Sequence, residues 1–200
     1  MIRATEQSRP DVAQRRQQWR DEVLPGLDGG RVVFLDETAA KTNLTRSHGY
    51  APRGQRLEGQ APYRRGQTTT FLGARRASGF LAPRVVDGAM TSELFVASVE
   101  RVLIPELQPG DVVVMDNLSC HTQLTVRGLI EAAGGSVLYL PAYSPDLNPI
   151  ERAFSKRKRL LRKAAARTVE ALWDTIGRLL DRFGPEECAN YIRHAGYPAT

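Results

Sequence analysis

The 200-residue chain has the length of about one domain, and its 42% hydrophobic and 25% charged residues are ordinary for a globular protein. No apolar run approaches the roughly 18 residues of a membrane helix, and residues 1–20 lack the apolar stretch of a signal peptide, so we expect a cytoplasmic protein without a membrane partner. The net charge of +6 favours a partner that carries phosphates, with a merely basic protein as an equal alternative.

The first half of the chain predicts a polar helical lead-in, a buried strand, a long connection rich in glycine, proline and arginine, and a β-hairpin. In this order, the elements span residues 1–30, 31–36, 41–66 and 68–86. The buried strand ends in Asp36. The next residue, Glu37, is expected to point to the opposite face of the sheet, so only one of these two acids can enter a given site.

The second half predicts a helix, a strand, a helix and a strand, followed by three more helices. The first four elements span residues 91–103, 110–116, 122–133 and 136–140, and the last three begin at Pro149, Thr168 and Pro185. The strand over 110–116 is a continuous apolar run, typical of a fully buried parallel strand, and it also ends in an acid, Asp116. This order predicts an α/β fold with a mixed central sheet flanked by helices, but element order alone does not select one such fold.

Asp36, Asp116 and Glu151 form a candidate metal site. The 34 residues between Asp116 and Glu151 hold one helix, one strand and one loop, enough to return the chain beside the strand that ends in Asp116. Phosphodiester transfer places negative charge on an entering and a leaving oxygen, and two Mg²⁺ ions roughly 4 Å apart stabilise both. Mg²⁺ prefers oxygen ligands. We interpret Asp36 as the ligand of both ions, with Asp116 and Glu151 each completing one.

The acids also have ordinary structural interpretations. An acid at a strand end is often a turn residue or a helix cap. One such interpretation is a capping box at the start of the helix. It has Asn148 as N-cap, Pro149 as the first helical residue and Glu151 at the third helical position, where Glu151 only satisfies a backbone N–H. A side chain at that position can also face a neighbouring strand end, so the cap does not exclude the metal site.

The helix that begins at Pro149 is predicted to place Glu151 at the edge of its buried face. At about 100° per residue, one stripe is apolar and consists of Ile150, Phe154, Leu161 and Ala165. Glu151 lies between this stripe and a basic one. We interpret four cations of this helix and two of the long connection as DNA-binding: Lys156, Lys158, Arg159, Arg162, Arg53 and Arg56. The alternative is a solvated basic face.

Several segments resemble the DDE transposases of bacterial insertion sequences in the Tc/mariner superfamily. They are FLDET (34–38), GYAPRGQR (49–56), GDVVVMDNLSCH (110–121), LPAYSPDLNPIE (140–151) and the basic run KRKRLLRKAAART (156–168). The resemblance implies an RNase H-like catalytic domain over residues 31–200, preceded by a linker. It also implies that Asp36, Asp116 and Glu151 are the catalytic, metal-binding triad.

The same resemblance implies a mechanism. Two Mg²⁺ or Mn²⁺ ions are expected, water cuts the ends of a DNA element, and the freed 3′-OH then attacks target DNA. Asn117 and His121 belong to the same motif as accessory residues. His121 is a candidate for orienting a phosphate or the nucleophile, although a single histidine is more often structural.

Members of this family carry helix-turn-helix modules ahead of the catalytic domain, whereas about 30 residues precede the first strand here. We therefore expect one frame of a split gene with a separate helix-turn-helix polypeptide, a truncated remnant, or a trimmed piece. DNA binding by this chain alone is expected to be weak or nonspecific. Because two ends must be cut together, a homodimer is expected. The alternatives are an RNase H-fold nuclease without strand transfer and a decayed remnant that only binds nucleic acid.

Overall fold

A five-stranded sheet is the central layer of the computed structural model, which describes residues 4–63 and 65–198. The strands are β1 (Val32–Lys41), β2 (Thr68–Arg76), β3 (Gly79–Asp87), β4 (Val112–Met115) and β5 (Ser136–Tyr139). Their order across the sheet is β3-β2-β1-β4-β5. β1 runs antiparallel to β2 and parallel to β4, and β4 runs parallel to β5. The sheet is therefore mixed, which confirms the predicted fold class.

Helices cover the sheet. They are α1 (Pro10–Gln18), α2 (Ser92–Ser98), α3 (Leu124–Ala132), α4 (Ile150–Ala164), α5 (Val169–Leu180) and α6 (Pro185–His194). α1 continues through irregular helical turns to Gly26, and α2 continues in the same way to Glu106. The predicted cap of α5 is present, because the Thr168 hydroxyl accepts a hydrogen bond from the backbone of Ala171. None of the helices in these two ranges is long and apolar enough to cross a membrane.

Both faces of the central strand are buried because alternate side chains of β1 enter different cores. Phe34 packs on one face in a cluster with Phe154 of α4 and Ile176 of α5. Leu35 packs on the other face with Phe95 of α2 and residues of α3. The backbone at the end of this sheet is therefore fixed by packing on both faces, and so is the starting position of any side chain there.

β1 is longer than predicted, so the predicted strand end at Asp36 is wrong. Its parallel pairing with β4 stops at Phe34, opposite Val114, but its antiparallel pairing with β2 continues to Lys41. The continuous partner on one side keeps the strand extended after the other partner has ended. Asp36 consequently lies just beyond the end of its pairing with β4, while Asp116 directly follows β4.

α4 buries Ile150, Phe154 and Leu161, as its periodicity predicts. Ala165 is only half-buried, because the helix has ended and this residue adopts a left-handed conformation with φ of 53°. The buried face also includes Arg157, whose guanidinium lies 3.5 Å from the centroid of the Phe71 ring. A cation–π contact thus occupies a position that the apolar pattern does not mark.

Candidate active site

The three predicted acids line one cavity of about 480 Å³ at the end of the sheet. Asp36 enters it from β1, Asp116 from the residue after β4, and Glu151 from the first turn of α4. Asp36 is 4% exposed. The fold therefore brings together side chains that lie on three separate elements.

Three carboxyl groups lie close together in this cavity. Burial, together with the charges of Glu151, Asp116 and Glu37, raises the pKa of Asp36 to about 8. Burial also raises the pKa of Glu151, an effect that Lys158 opposes and Asp116 increases. A bound cation would stabilise the ionised forms of both groups. Because the donors are carboxylate oxygens, the site fits hard divalent cations such as Mg²⁺ or Mn²⁺.

Asn148 belongs to this site. Its Nδ2 donates to Asp36 Oδ2 over 2.8 Å, while Asp36 Oδ1 accepts the backbone N–H of Glu37 over 2.7 Å. The helix begins at Ile150 after Pro149, and no side chain caps it. The capping-box interpretation is therefore wrong, because the Asn148 amide bonds to Asp36 instead. The sequence indicates only a capping role for this asparagine.

Asp116 is held on one side by protein hydrogen bonds. Its Oδ1 accepts from the backbone of Leu118 at 3.0 Å and lies 2.6 Å from His121 Nδ1, while His121 Nε2 lies 2.7 Å from Glu37 Oε2. Burial alone would raise the pKa of Asp116, but the hydrogen bonds from His121 and Leu118 keep it below its ordinary value. Burial alone would lower the pKa of His121, but bonds to the two carboxylates raise it to about 9. His121 is therefore a buried cation between two acids.

The sequence does not indicate the role of Glu37, because a side chain on the opposite face of β1 is expected to lie outside the site. It reaches the site through His121 and also lies 4.0 Å from the Sγ of Cys120. Ligand atoms of Glu37, Cys120 and His121 lie within 4.8 Å of one another. Both ring nitrogens of this histidine are already bonded to carboxylates, so the cluster is a hydrogen-bonded one. Asn117, the other accessory candidate, donates to the Leu140 carbonyl at 2.5 Å and joins the ends of β4 and β5.

A basic surface borders the acidic cavity. Lys156 and Arg159 line an adjacent cavity of about 740 Å³ together with Glu151, and Lys158 lies close enough to lower the pKa of that acid. Lys156 is also bound within the domain, at 2.6 Å from Glu187 Oε2. Of the remaining cations predicted to bind DNA, Arg162 is half-buried further along α4, and Arg53 and Arg56 are exposed on the long connection, without a described contact to the acids.

The N-terminal segment holds the loop that leads into α4. Arg16 of α1 donates to Ser144 Oγ at 2.7 Å and to both carboxylate oxygens of Asp146 at 2.9 and 2.7 Å. From the other end of the chain, the Tyr197 hydroxyl donates to the Leu147 carbonyl at 2.9 Å. Residues predicted only as a polar helical lead-in thus contact the loop that carries Asn148. No local pattern signals this, because Arg16 and Asp146 are 130 positions apart.

Comparison with known proteins agrees with this geometry. The family described as DDE superfamily endonuclease matches residues 31–173. The Mos1 strand transfer complex has a TM-score of 0.74 and 22% identity over 92% of this chain and 57% of that chain. The Mos1 mariner paired end complex with Mn has a TM-score of 0.73 and 22% identity over 93% of this chain and 59% of that chain.

The catalytic domain of Mos1 mariner transposase has a TM-score of 0.66 and 16% identity over 97% of this chain and 89% of that chain. No curated protein matches the sequence significantly. The chain thus spans less than two thirds of the Mos1 chains in the two complexes, but most of the isolated catalytic domain. At these identities the likeness establishes the fold, which is the RNase H-like fold of that catalytic domain.

Proposed function

This chain belongs to the DDE superfamily endonucleases, and from that premise we propose that it is the catalytic domain of a cut-and-paste DNA transposase. The observation that carries the proposal is the convergence of Asp36, Asp116 and Glu151 in one cavity that opens beside a basic helix. The similar Mos1 structures, a strand transfer complex and a paired end complex with Mn, support the same activity and a divalent metal.

In this proposal the three carboxylates would hold two divalent cations, Mg²⁺ or Mn²⁺. When bound, such a pair stabilises the negative charge that develops on the entering and leaving oxygens of a phosphodiester. The charges of both other acids raise the pKa of Asp36, so this carboxyl lies close to both of them. It is therefore our choice for the ligand that both ions share. Asp116 and Glu151 would each supply a further ligand to one of the ions.

The remaining parts of the site act on the DNA. The cations of α4 beside Glu151 neutralise phosphates and position the scissile strand along the cavity. Water then cuts the element end, and the freed 3′-OH attacks the target strand, without a covalent bond to the protein. Because two ends are cut together, we propose a homodimer in a bacterial cytoplasm. A helix-turn-helix module on a preceding segment or a separate polypeptide would recognise the ends.

The test compares wild type, Asp116→Asn and the exposed control Asp174→Asn on two DNA substrates with Mg²⁺. A duplex that carries the element end measures cleavage, and a pre-cut end with a free 3′-OH measures joining to a target plasmid. We expect both activities in wild type and in the control, and neither in folded Asp116→Asn. Equal rates in Asp116→Asn would remove this residue from the mechanism. Cleavage without joining would indicate a nuclease, and binding without either reaction would indicate a decayed remnant.

A further inference from the structure

Two consecutive residues of β1 reach the same acidic site from opposite faces of the sheet. Asp36 enters the cavity directly. Glu37 points to the other face, where its Oε2 lies 2.7 Å from Nε2 of His121. The other nitrogen of the same ring, Nδ1, lies 2.6 Å from Oδ1 of Asp116. A continuous row of hydrogen bonds therefore runs from Glu37 to the carboxylate that follows β4.

The histidine in the middle of this row is held firmly. Its side chain is fully buried, and its ring packs on Phe95 with 4.5 Å between the ring centroids. Its backbone N–H donates to the Leu118 carbonyl, and its carbonyl accepts from the Tyr139 hydroxyl at 3.1 Å. Turning the ring would break two bonds to carboxylates in a place that water does not reach, which is unfavourable.

The two carboxylate oxygens of Asp116 have different contacts. Oδ1 accepts hydrogen bonds from His121 and from the backbone of Leu118. Oδ2 has no hydrogen bond among residues 4–63 and 65–198, and the residue lines the cavity that Asp36 and Glu151 share. The carboxylate is thus fixed by one oxygen and open at the other.

We propose that Glu37 and His121 are a positioning pair, which orients Asp116 so that its free oxygen is presented to a bound divalent cation. The inference rests on the proposed function in one respect, that Asp116 is a metal ligand. Neither Glu37 nor His121 touches the cation. They act by removing the rotational freedom that Asp116 would otherwise lose on binding. Groups that orient a ligand in this way typically change metal affinity by about 10- to 100-fold when they are removed.

The test measures Mn²⁺ binding to the folded, DNA-free protein by calorimetry, with free Mn²⁺ checked by electron paramagnetic resonance. The variants are Glu37→Ala, His121→Ala, the double variant, and Asp116→Asn as the direct ligand change. Glu131→Ala, on the exposed face of α3, is the matched control. We expect the control to bind like wild type and each single positioning variant to bind about 10- to 100-fold more weakly.

Two further results are specific to a positioning role. The double variant should bind no more weakly than the worse single variant, because the pair acts as one unit. Glu37→Gln, which keeps an oxygen acceptor for the histidine, should regain most of the affinity that Glu37→Ala loses. A purely structural role would lower the melting temperature of Glu37→Ala and leave the Mn²⁺ affinity of the folded protein unchanged, which would overturn the proposal.

Asp116→Asn separates an error in the positioning pair from an error in the metal site. If Asp116→Asn binds Mn²⁺ as wild type does, the metal site itself is wrong. If Asp116→Asn binds weakly but Glu37→Ala and His121→Ala bind normally, only the positioning pair is wrong. Circular dichroism melts set the temperature at which every variant is folded. Should the alanine variants not fold, Glu37→Gln and His121→Gln are measured instead, with weaker binding expected for His121→Gln.

Discussion

Asn148 donates a hydrogen bond to Asp36 over 2.8 Å and so joins two residues that are 112 positions apart. The bond ties the loop before α4 to the middle of β1, and it does so inside the protein, because Asn148 is only 3% exposed. The position of Asp36 in the cavity is therefore set by its strand and by a loop that comes much later in the chain.

Changing Asn148 should affect activity more than its distance in sequence from Asp36 suggests. We expect Asn148→Ala to lower the rate of DNA cleavage about 10- to 100-fold, the usual range for residues that orient a metal ligand. Asn148→Asp should be worse and should melt lower without metal, because it adds a carboxylate to three others. Single-turnover cleavage and thermal melts measure both effects, with exposed Asn190→Ala as control. Wild-type rates in Asn148→Asp would contradict the assignment.

A divalent cation should stabilise the protein through Asp36. A ligand that binds only the folded state, at a free concentration about 100 times its dissociation constant, adds about 2.7 kcal/mol to the free energy of unfolding. For a protein of this size, this corresponds to a rise in Tm of several degrees. We expect Mn²⁺ to raise the Tm of wild type and of exposed Asp174→Asn, but not that of Asp36→Asn. Scanning calorimetry with and without Mn²⁺ measures the difference, and an equal rise in all three proteins would rule out the site.

The contact between Arg16 and Asp146 should matter for both stability and cleavage. The side chain of Arg16 is 9% exposed, and its removal breaks three hydrogen bonds with charged or buried partners. We expect Arg16→Ala to lose about 2 kcal/mol of unfolding free energy, in the range for hydrogen bonds to charged groups, and to cleave more slowly because the loop before α4 is looser. Urea unfolding measures the loss. Arg15→Ala, an exposed neighbour on the same helix, should behave like wild type.

The same contact predicts a pH dependence. Burial alone would raise the pKa of Asp146, but the hydrogen bond and charge of Arg16 lower it below its ordinary value. A carboxyl whose pKa is lower in the folded state contributes stability that is complete above its unfolded pKa and is lost as pH falls through the folded value. The Tm difference between wild type and Asp146→Asn should therefore be constant near neutral pH and shrink below about pH 4. A constant difference down to about pH 2 would contradict this.

The basic surface beside Glu151 should appear in the salt dependence of DNA binding. The logarithm of the DNA-binding constant falls linearly as the logarithm of the salt concentration rises. Each lost phosphate contact makes this slope less steep by about 1. We expect this change for Lys158→Ala and Arg159→Ala and a smaller one for Lys156→Ala, whose charge is shared with Glu187. Arg101→Ala, exposed in the turns that follow α2, is the control with the same charge change. Fluorescence anisotropy at several NaCl concentrations measures the slopes, and equal slopes in all variants would exclude this surface.

The sequence by itself determined the elements and the three acids. Apolar runs and helical periodicity depend on local burial, so the starts of the strands that carry or precede Asp36 and Asp116, and of the helix that carries Glu151, could be predicted to within a few residues. The fully apolar run over residues 110–116 also indicated a buried, parallel strand, and the structure pairs that strand with β1. Those two properties place both aspartates at one end of the sheet.

Only the tertiary structure decided which other side chains serve these acids. Glu37 reaches Asp116 through His121, Asn148 bonds to Asp36 rather than capping a helix, and Arg16 holds the loop before α4. Each contact joins elements that are distant in sequence and needs atoms within about 3 Å in a narrow range of angles. Hydrophobic periodicity reports which face of an element is buried, but not which polar atoms meet there. Hydrogen-bond partners therefore follow from the register and packing of the whole fold.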